Sequence, residues 1–551
     1  MVACHPSQAT EIPSVVAPGT IERGQTPRLS PPADAPFSII PTLNRSVPPQ
    51  GADTVRFVLH GVLIEGATVF DASAIEPAYA PLMGHSISLA DLYAVTNQIA
   101  KLYADAGYAL SFAVVPAQRV SEGIVHIQVV EGYIADVSVE GLPRGAPKVL
   151  ESYARKLRAS RPLKTNDLER YLLLADDLSG YHVRATFDRI ANAERGATRL
   201  VISVDRKPVS AEAKISNRGS RAFGPVLADG QVSFSGYIFD ADELKIHVLN
   251  AVPFNEMTYA SMAFRNSIDD DGLTLESFLS YSRARPDLAL LRGVNFSSEA
   301  WIAHIGLEDS LLRSRASSLW ISGGFTAKWF DGDIQRTANS RDRIYLLTAG
   351  LRYLERDDGG FTAINADINE GLKVFDATGA GAPLASRMTG SAAYTGLHVY
   401  AARQQRLGDA LDVVLSGEGQ FAGRALLSSE QCSYGGEAFG RGFDDSEIQG
   451  DSCLMGSAEL RYTPPVPDWA KSNSYLLQVF AFADAGGTWR KGTLLSGEDR
   501  SDHAESIGGG ARVMFSIGLS GSVEFAQPID RAVAQEGNRR GRVFVSLSET
   551  F

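Results

Sequence analysis

From about residue 209 to the end of the chain, apolar side chains recur at every second position in short runs, with glycine, asparagine and aspartate between them. QVSFSGYIF, DELKIHVLNAV, SSLWISGGFTAKWF, RIYLLTAGLRYLE and SYLLQVFAFADAGG are examples. A period of two sends alternate side chains to opposite faces of a strand, so these runs predict β-structure. At roughly 20 residues per strand and turn, the segment holds about 16 strands. A soluble sandwich or propeller is one home for them, but no blade repeat is present and the strands are too long and numerous for one sandwich. The last run, RVFVSLSETF, puts Val543, Val545, Leu547 and Phe551 on one face and Ser546, Ser548 and Thr550 on the other. Apolar outside with small polar groups inside suits a transmembrane barrel strand.

Upstream the period changes. VRFVLHGVLIEG reads as a strand entering a turn. In SLADLYAVTNQIAKLYADAGY, Leu89, Leu92, Thr96, Ile99 and Tyr103 recur at threes and fours, which predicts a helix capped by Ser88 and ended by Gly107. ALSFAVVPAQ and GIVHIQVVEG follow as strands. The order strand, helix, helix, strand, strand then repeats in IADVSVEGL (134–142), PKVLESYARKLRAS (147–160), TNDLERYLLLADDL (165–178), YHVRATFDR and ATRLVISVDR. Two modules of about 75 residues with one pattern form a repeat. Residues 1–50 are rich in proline, serine and alanine and read as a linker, in which PGTIERGQ offers a helix start. The chain therefore divides into a linker at 1–50, α/β modules at 51–133 and 134–206, and a barrel at 207–551. Its fold class is mainly β with α/β modules.

Composition narrows the function. The 551 residues carry a net charge of −12, with acids spread throughout, which argues against a general nucleic-acid binder. No run approaches the ~18–20 apolar residues of a membrane helix, a test that barrel strands escape. The start, MVACHPSQATEIP, has no basic-then-apolar export signal, which leaves a cytosolic chain or one whose signal was removed. The nine histidines are scattered, without HExxH or a His/Cys cluster, and neither GxxxxGK[ST] nor a convincing GxSxG occurs. No catalytic site, metal or cofactor is expected.

One stretch fits neither helix nor strand: YGGEAFGRGFDDSEIQGDSC, where Arg441 stands between Gly440 and Gly442 and before Phe443. Such an arginine can hold a phosphate, a nucleic acid or another part of the same protein. Cys432 and Cys453 bracket it. In an oxidising compartment they would close a loop; otherwise they are two unconnected small residues.

Taken together, these features resemble the two-partner secretion transporters (TpsB type, haemolysin activation/secretion proteins) of the POTRA-barrel outer-membrane superfamily. The first module is similar to that family's pattern at Gly107, Tyr108, Pro116, Gln118, Gly123, Glu131, Gly132 and Ile134. PGTIERGQ resembles the segment at or near the family's plug helix inside the barrel, and Asn217-Arg218-Gly219 resembles Asn-x-Gly at its first barrel strand. Phe551 matches the aromatic read by the barrel-assembly machinery. Gly440-Arg441-Gly442-Phe443 is similar to the Val-Arg-Gly-Phe/Tyr motif of a loop that folds into the lumen, with Gly440 departing from the usual branched residue. Phe482-Ala483-Asp484-Ala485-Gly486 matches Phe-x-Asp-x-Gly on a later strand.

The resemblance implies two POTRA domains in the periplasm and a 16-stranded transmembrane β-barrel in the bacterial outer membrane, surrounded by lipid. It also implies export of a large exoprotein recognised by its N-terminal secretion domain. An assembly factor of the same superfamily, or a passive pore or receptor, is the alternative. Physics supports pairing the two motifs. Gln478, Phe480, Phe482 and Asp484 share one strand face, and a charge facing lipid would cost several kcal/mol, so this face should be lumenal. A guanidinium fork suits a carboxylate. An Arg441–Asp484 pair is therefore expected, with partial rescue of secretion by a charge swap. The plainer alternative is an exposed loop arginine and an unrelated turn acid.

Overall fold

Gly61–Glu65 and Ile124–Val130 run parallel, and Phe112–Val114 joins the other edge of Ile124–Val130 antiparallel. This sheet belongs to one of two bodies in the computed structural model, which describes residues 19–24, 46–142, 147–252, 254–287, 295–465, 475–494 and 498–551. The helix Leu89–Asp105 lays Leu92, Val95, Ile99 and Tyr103 on Val125, Ile127 and Val129 of the sheet. Ser88 and Asp91 form a reciprocal capping box at its start, and Gly107, with φ +86°, lets the chain turn away after its end. The helix expected before it is only Ala72–Ile75 followed by the 3₁₀ turns Glu76–Ala78 and Ala80–Leu82. Pro77 and Pro81 stand in those two turns and remove the amide donors a continuous helix needs.

The second module repeats this topology. Tyr133–Glu140 runs parallel to Ala197–Arg206, whose other edge takes Tyr181–Arg189 antiparallel. Helices Lys148–Ala159 and Thr165–Asp176 bury Leu150, Leu157, Leu168 and Leu172. The modules are joined where Thr165 N donates to Gly107 O at 2.7 Å.

The other body is a closed barrel of sixteen strands among the described residues, running from Val209–Ser216 to Arg542–Thr550. The last strand pairs with the first from Thr550↔Glu212 to Ser546↔Ser216. Asn217 prolongs this seam with its side-chain amide, which donates to Val543 O at 3.0 Å and accepts from Val545 N at 2.6 Å. Phe551 adds a backbone hydrogen bond to Ala211 O at 2.8 Å. The alternation read from RVFVSLSETF is present: Val543, Val545 and Leu547 are 56%, 48% and 51% exposed, while Phe544 between them is 6%. Ile246, Trp301, Leu351, Leu415, Leu460 and Val479 extend the apolar exterior to other strands. The short helix Thr20–Gly24 lies against the inner wall, where Ile21 packs on the cluster of Phe223, Leu249 and Tyr259 and the Ser282 hydroxyl donates to Glu22.

Candidate functional site

Between the strands Leu411–Ala422 and Ser452–Tyr462 the chain does not turn directly but enters the barrel. A two-stranded ladder, Cys432–Tyr434 with Ile448–Gly450, forms the stem of this loop. A disulfide joins Cys432 to Cys453 on the inner face of the next barrel strand, with the Cα atoms 6.2 Å apart. Beyond the stem, Phe439, Arg441, Phe443 and Asp444 are all buried.

Arg441 meets Asp484 as a fork: Nε donates to Oδ2 at 3.0 Å and Nη2 to Oδ1 at 2.8 Å. The same carboxylate accepts the backbone N–H groups of Gly440 at 3.2 Å and Arg441 at 3.0 Å. Asp484 therefore binds the turn of the loop as well as its charge. Nη2 also donates to Ser457 Oγ at 2.9 Å, Nη1 donates to Glu459, and the guanidinium lies 3.4 Å from the centroid of the Phe482 ring. Gly442 is a close approach: a Cβ there would lie 2.9 Å from Ser506 Cβ. Phe443 fills an apolar pocket with Tyr434, Ile448, Met455 and Val533, and Asp444 pairs with Arg542 at 2.5 Å.

Several of these partners lie outside the motifs. Glu459 accepts from Arg441, from Arg461 at 2.7 Å and from Arg512 at 2.9 Å, so one carboxylate joins three arginines. Arg512 stacks at 3.9 Å on Phe480, itself stacked near Phe482. Alternation in SCLMGSAELRY places Glu459 on the face of Cys453, Ser457 and Arg461, a signal available in the sequence. At the far end of the loop, Asp451 is fully buried and accepts from Arg387 Nη1 at 2.6 Å, Leu426 N at 2.8 Å and Lys491 N at 2.6 Å. Three connections between strands thus meet at one carboxylate. Beside Arg441 lies a lumenal cavity of about 350 Å³ whose lining includes Arg218, Arg461, Arg512, Glu437, Glu459 and Glu524. Four arginines, Arg441 included, and three glutamates make much of its wall charged.

The residues of the first module's motif have architectural positions. Glu131 accepts from Thr68 N at 2.7 Å, Val69 N at 2.9 Å and Tyr103 Oη at 2.8 Å, and from the Thr68 hydroxyl. Burial pushes this carboxyl upward, but the donors from Thr68, Val69 and Tyr103 outweigh it and hold it below its ordinary value. Gly132 and Gly123 each leave room for backbone, since a Cβ would lie 2.5 Å from Leu110 O and 2.3 Å from Val58 O respectively. Gln118 mimics a strand: its amide donates to His126 O at 2.7 Å and accepts from His126 N at 2.8 Å, and it also reaches Pro116 O. Tyr108 packs on Tyr103, and Ile134 is buried.

Residues 57–132 match the model of the POTRA domain of the ShlB type, and residues 196–511 match that of the haemolysin secretion/activation proteins ShlB/FhaC/HecB. The haem/hemopexin transporter protein HuxB of Haemophilus influenzae is 22% identical over 85% of this chain and 82% of its own length. The outer membrane transporter CdiB of Escherichia coli is 23% identical over 76% and 70%. Among solved structures, CdiB from Escherichia coli superposes with a TM-score of 0.72 over 94% of both chains at 20% identity. CdiB from Acinetobacter baumannii gives 0.62 over 96% of both at 13% identity.

Proposed function

The chain belongs to the family of haemolysin secretion/activation proteins ShlB/FhaC/HecB, outer-membrane transporters of the two-partner type that carry an exoprotein to the cell surface, and we propose that its lumenal loop is the latch of that channel. The observation that carries this reading is the buried fork of Arg441 on Asp484. A buried ion pair is poor evidence of net stability, because desolvation offsets most of its attraction. Its use is to position. Arg441 fixes the loop tip against one wall, and the Thr20–Gly24 segment occupies another part of the inner wall. Both must move before a polypeptide can pass.

The modules in the periplasm receive the partner before this happens. An extended polypeptide offers a row of backbone donors and acceptors, and an exposed sheet edge offers the same row, so strand addition is the physical means available. Folding of the partner outside the cell supplies the direction of transport. Removing residues 55–205 should abolish export of the partner while leaving a barrel that conducts ions in planar bilayers. Normal export by the truncated chain would refute capture by the modules.

A further inference from the structure

Each module has an outer strand of the same kind, yet the two edges are not equally available. In the first module that strand is only Phe112–Val114. Its Ala113 carbonyl already accepts from Ser46 Oγ at 2.9 Å, and Ser46 is held by its own N–H to Asn97 Oδ1 at 3.1 Å. Just beyond the strand, the Gln118 amide occupies both backbone groups of His126. This edge is short and its neighbouring positions are taken by the chain itself.

The second module differs. Tyr181–Arg189 is nine residues long and, among the described residues, pairs only with Ala197–Arg206, without a register shift. Lys207 N donates to Gly180 O, which fixes the alternation: His182, Arg184, Thr186 and Asp188 bond inward, and the odd-numbered residues point their N–H and C=O groups outward. Two of those outward donors are engaged, Tyr181 N by Leu178 O and Val183 N by Asp176 at 2.9 Å. Ala185, Phe187 and Arg189 continue the row. Ala185 and Phe187 are half-buried on the helix-covered side and form an apolar ledge, while His182, Arg184, Thr186 and Asp188 are exposed on the other. The opposite edge of this sheet, Tyr133–Glu140, is interrupted by a bulge at Ala135. Bulges blunt a strand edge against pairing.

We infer that the edge Ala185–Arg189 of the second module, and not the equivalent edge of the first, receives an extended segment of the exported polypeptide as an added strand. Main-chain hydrogen bonds to Ala185, Phe187 and Arg189 supply affinity, and the ledge favours a segment with apolar residues at alternate positions. The exposed side of the edge is polar and imposes little further sequence preference. This inference rests on the secretion reading above and names the surface that reading needs.

The probe is the purified N-terminal secretion domain of whichever polypeptide leaves the cell only when this chain is produced. Added to the full-length protein in detergent, it should slow hydrogen exchange at the Ala185, Phe187 and Arg189 amides and leave Phe112–Val114 unchanged. A185P with F187P removes two outward donors without touching the ladder to Ala197–Arg206, a position where an edge strand tolerates proline. Binding should weaken about tenfold, as expected for two lost backbone hydrogen bonds. Protection appearing at Phe112–Val114 instead, or unaltered exchange at Ala185 and Phe187 in a bound complex, would overturn the assignment while sparing the secretion reading. If no polypeptide depends on this chain for export, both fall together.

Discussion

A Cβ placed on Gly440 would lie 2.6 Å from Cε1 of Tyr434, so the tyrosine ring occupies the space that a branched residue would need. The ring also fills the space beside Gly486, where a Cβ would come within 2.2 Å of it. Gly440 has φ +85°, which side chains disfavour by roughly 1 kcal/mol or more. The glycine at the head of the loop motif is thus the counterpart of Tyr434, which fastens the stem of the loop to the wall. Gly440→Ala should loosen the tip and raise the resting conductance of the purified barrel in planar bilayers. Tyr434→Ala added to it should not restore closure, because the positive φ remains and the stem loses its aromatic packing. A G440A barrel as quiet as the parent would show that the fit is not needed to keep the loop in place.

Arg441 and Asp484 look interchangeable by charge alone, but their surroundings are not. In R441D/D484R the new carboxylate would face Glu459, already shared by Arg461 and Arg512, and the backbone donors of residues 440 and 441 would face a guanidinium. The simple expectation of partial rescue therefore gives way: the swap should fail to restore export, much as each single variant fails. Breaking a buried pair from one side costs on the order of 3–5 kcal/mol. Export titres of the two single variants and the swap, at equal barrel levels, test this. A swap exporting at half the parental level or better would mean that Glu459 and the backbone donors contribute little.

What was legible in the sequence follows from periodicity. Alternation puts Phe480, Phe482 and Asp484 on one strand face, and all three are buried in the lumen. The same rule sorts Glu459 inward, yet its role depends on arginines from a loop and a separate strand, and such pairings across the barrel have no local signature. Tyr434 was opaque for the same reason, since its neighbours Gly440 and Gly486 come from different segments. In the first module the reverse holds: Pro77 and Pro81 mark in plain sight why the helix before Leu89–Asp105 breaks into short turns.

The Cys432–Cys453 disulfide ties the stem of the loop to the barrel wall. Closing a loop of this length lowers the entropy of the opened loop, worth roughly 3 kcal/mol. Reduction, or Cys453→Ser, should leave the strands intact but speed hydrogen exchange across residues 432–450, with Tyr434 and Ile448 the first backbone positions to lose protection. Equal exchange in the oxidised and reduced proteins would assign the hold on the loop entirely to Arg441, Phe443 and Asp444.

Glu131 makes the first module sensitive to acid. Its carboxyl lies below the ordinary value because Thr68, Val69 and Tyr103 donate to the ionised form against the opposing effect of burial. A lowered folded-state value means that the ionised form favours folding. This contribution is complete above the unfolded-state value of about 4.3 and drains away as the pH falls through the folded-state value. Glu131→Gln keeps one acceptor but loses the charge and the second oxygen, and should lower the stability of residues 57–132 by about 1–2 kcal/mol at neutral pH. Pulse labelling of the Leu89–Asp105 helix by hydrogen exchange, after equilibration of the full chain in urea at a series of pH values, separates the possibilities. The parent should lose protection progressively below about pH 4.3, whereas the E131Q module should be weaker at neutral pH and change less on acidification. Parallel pH profiles for the two proteins would place the acid-sensitive group elsewhere in the module.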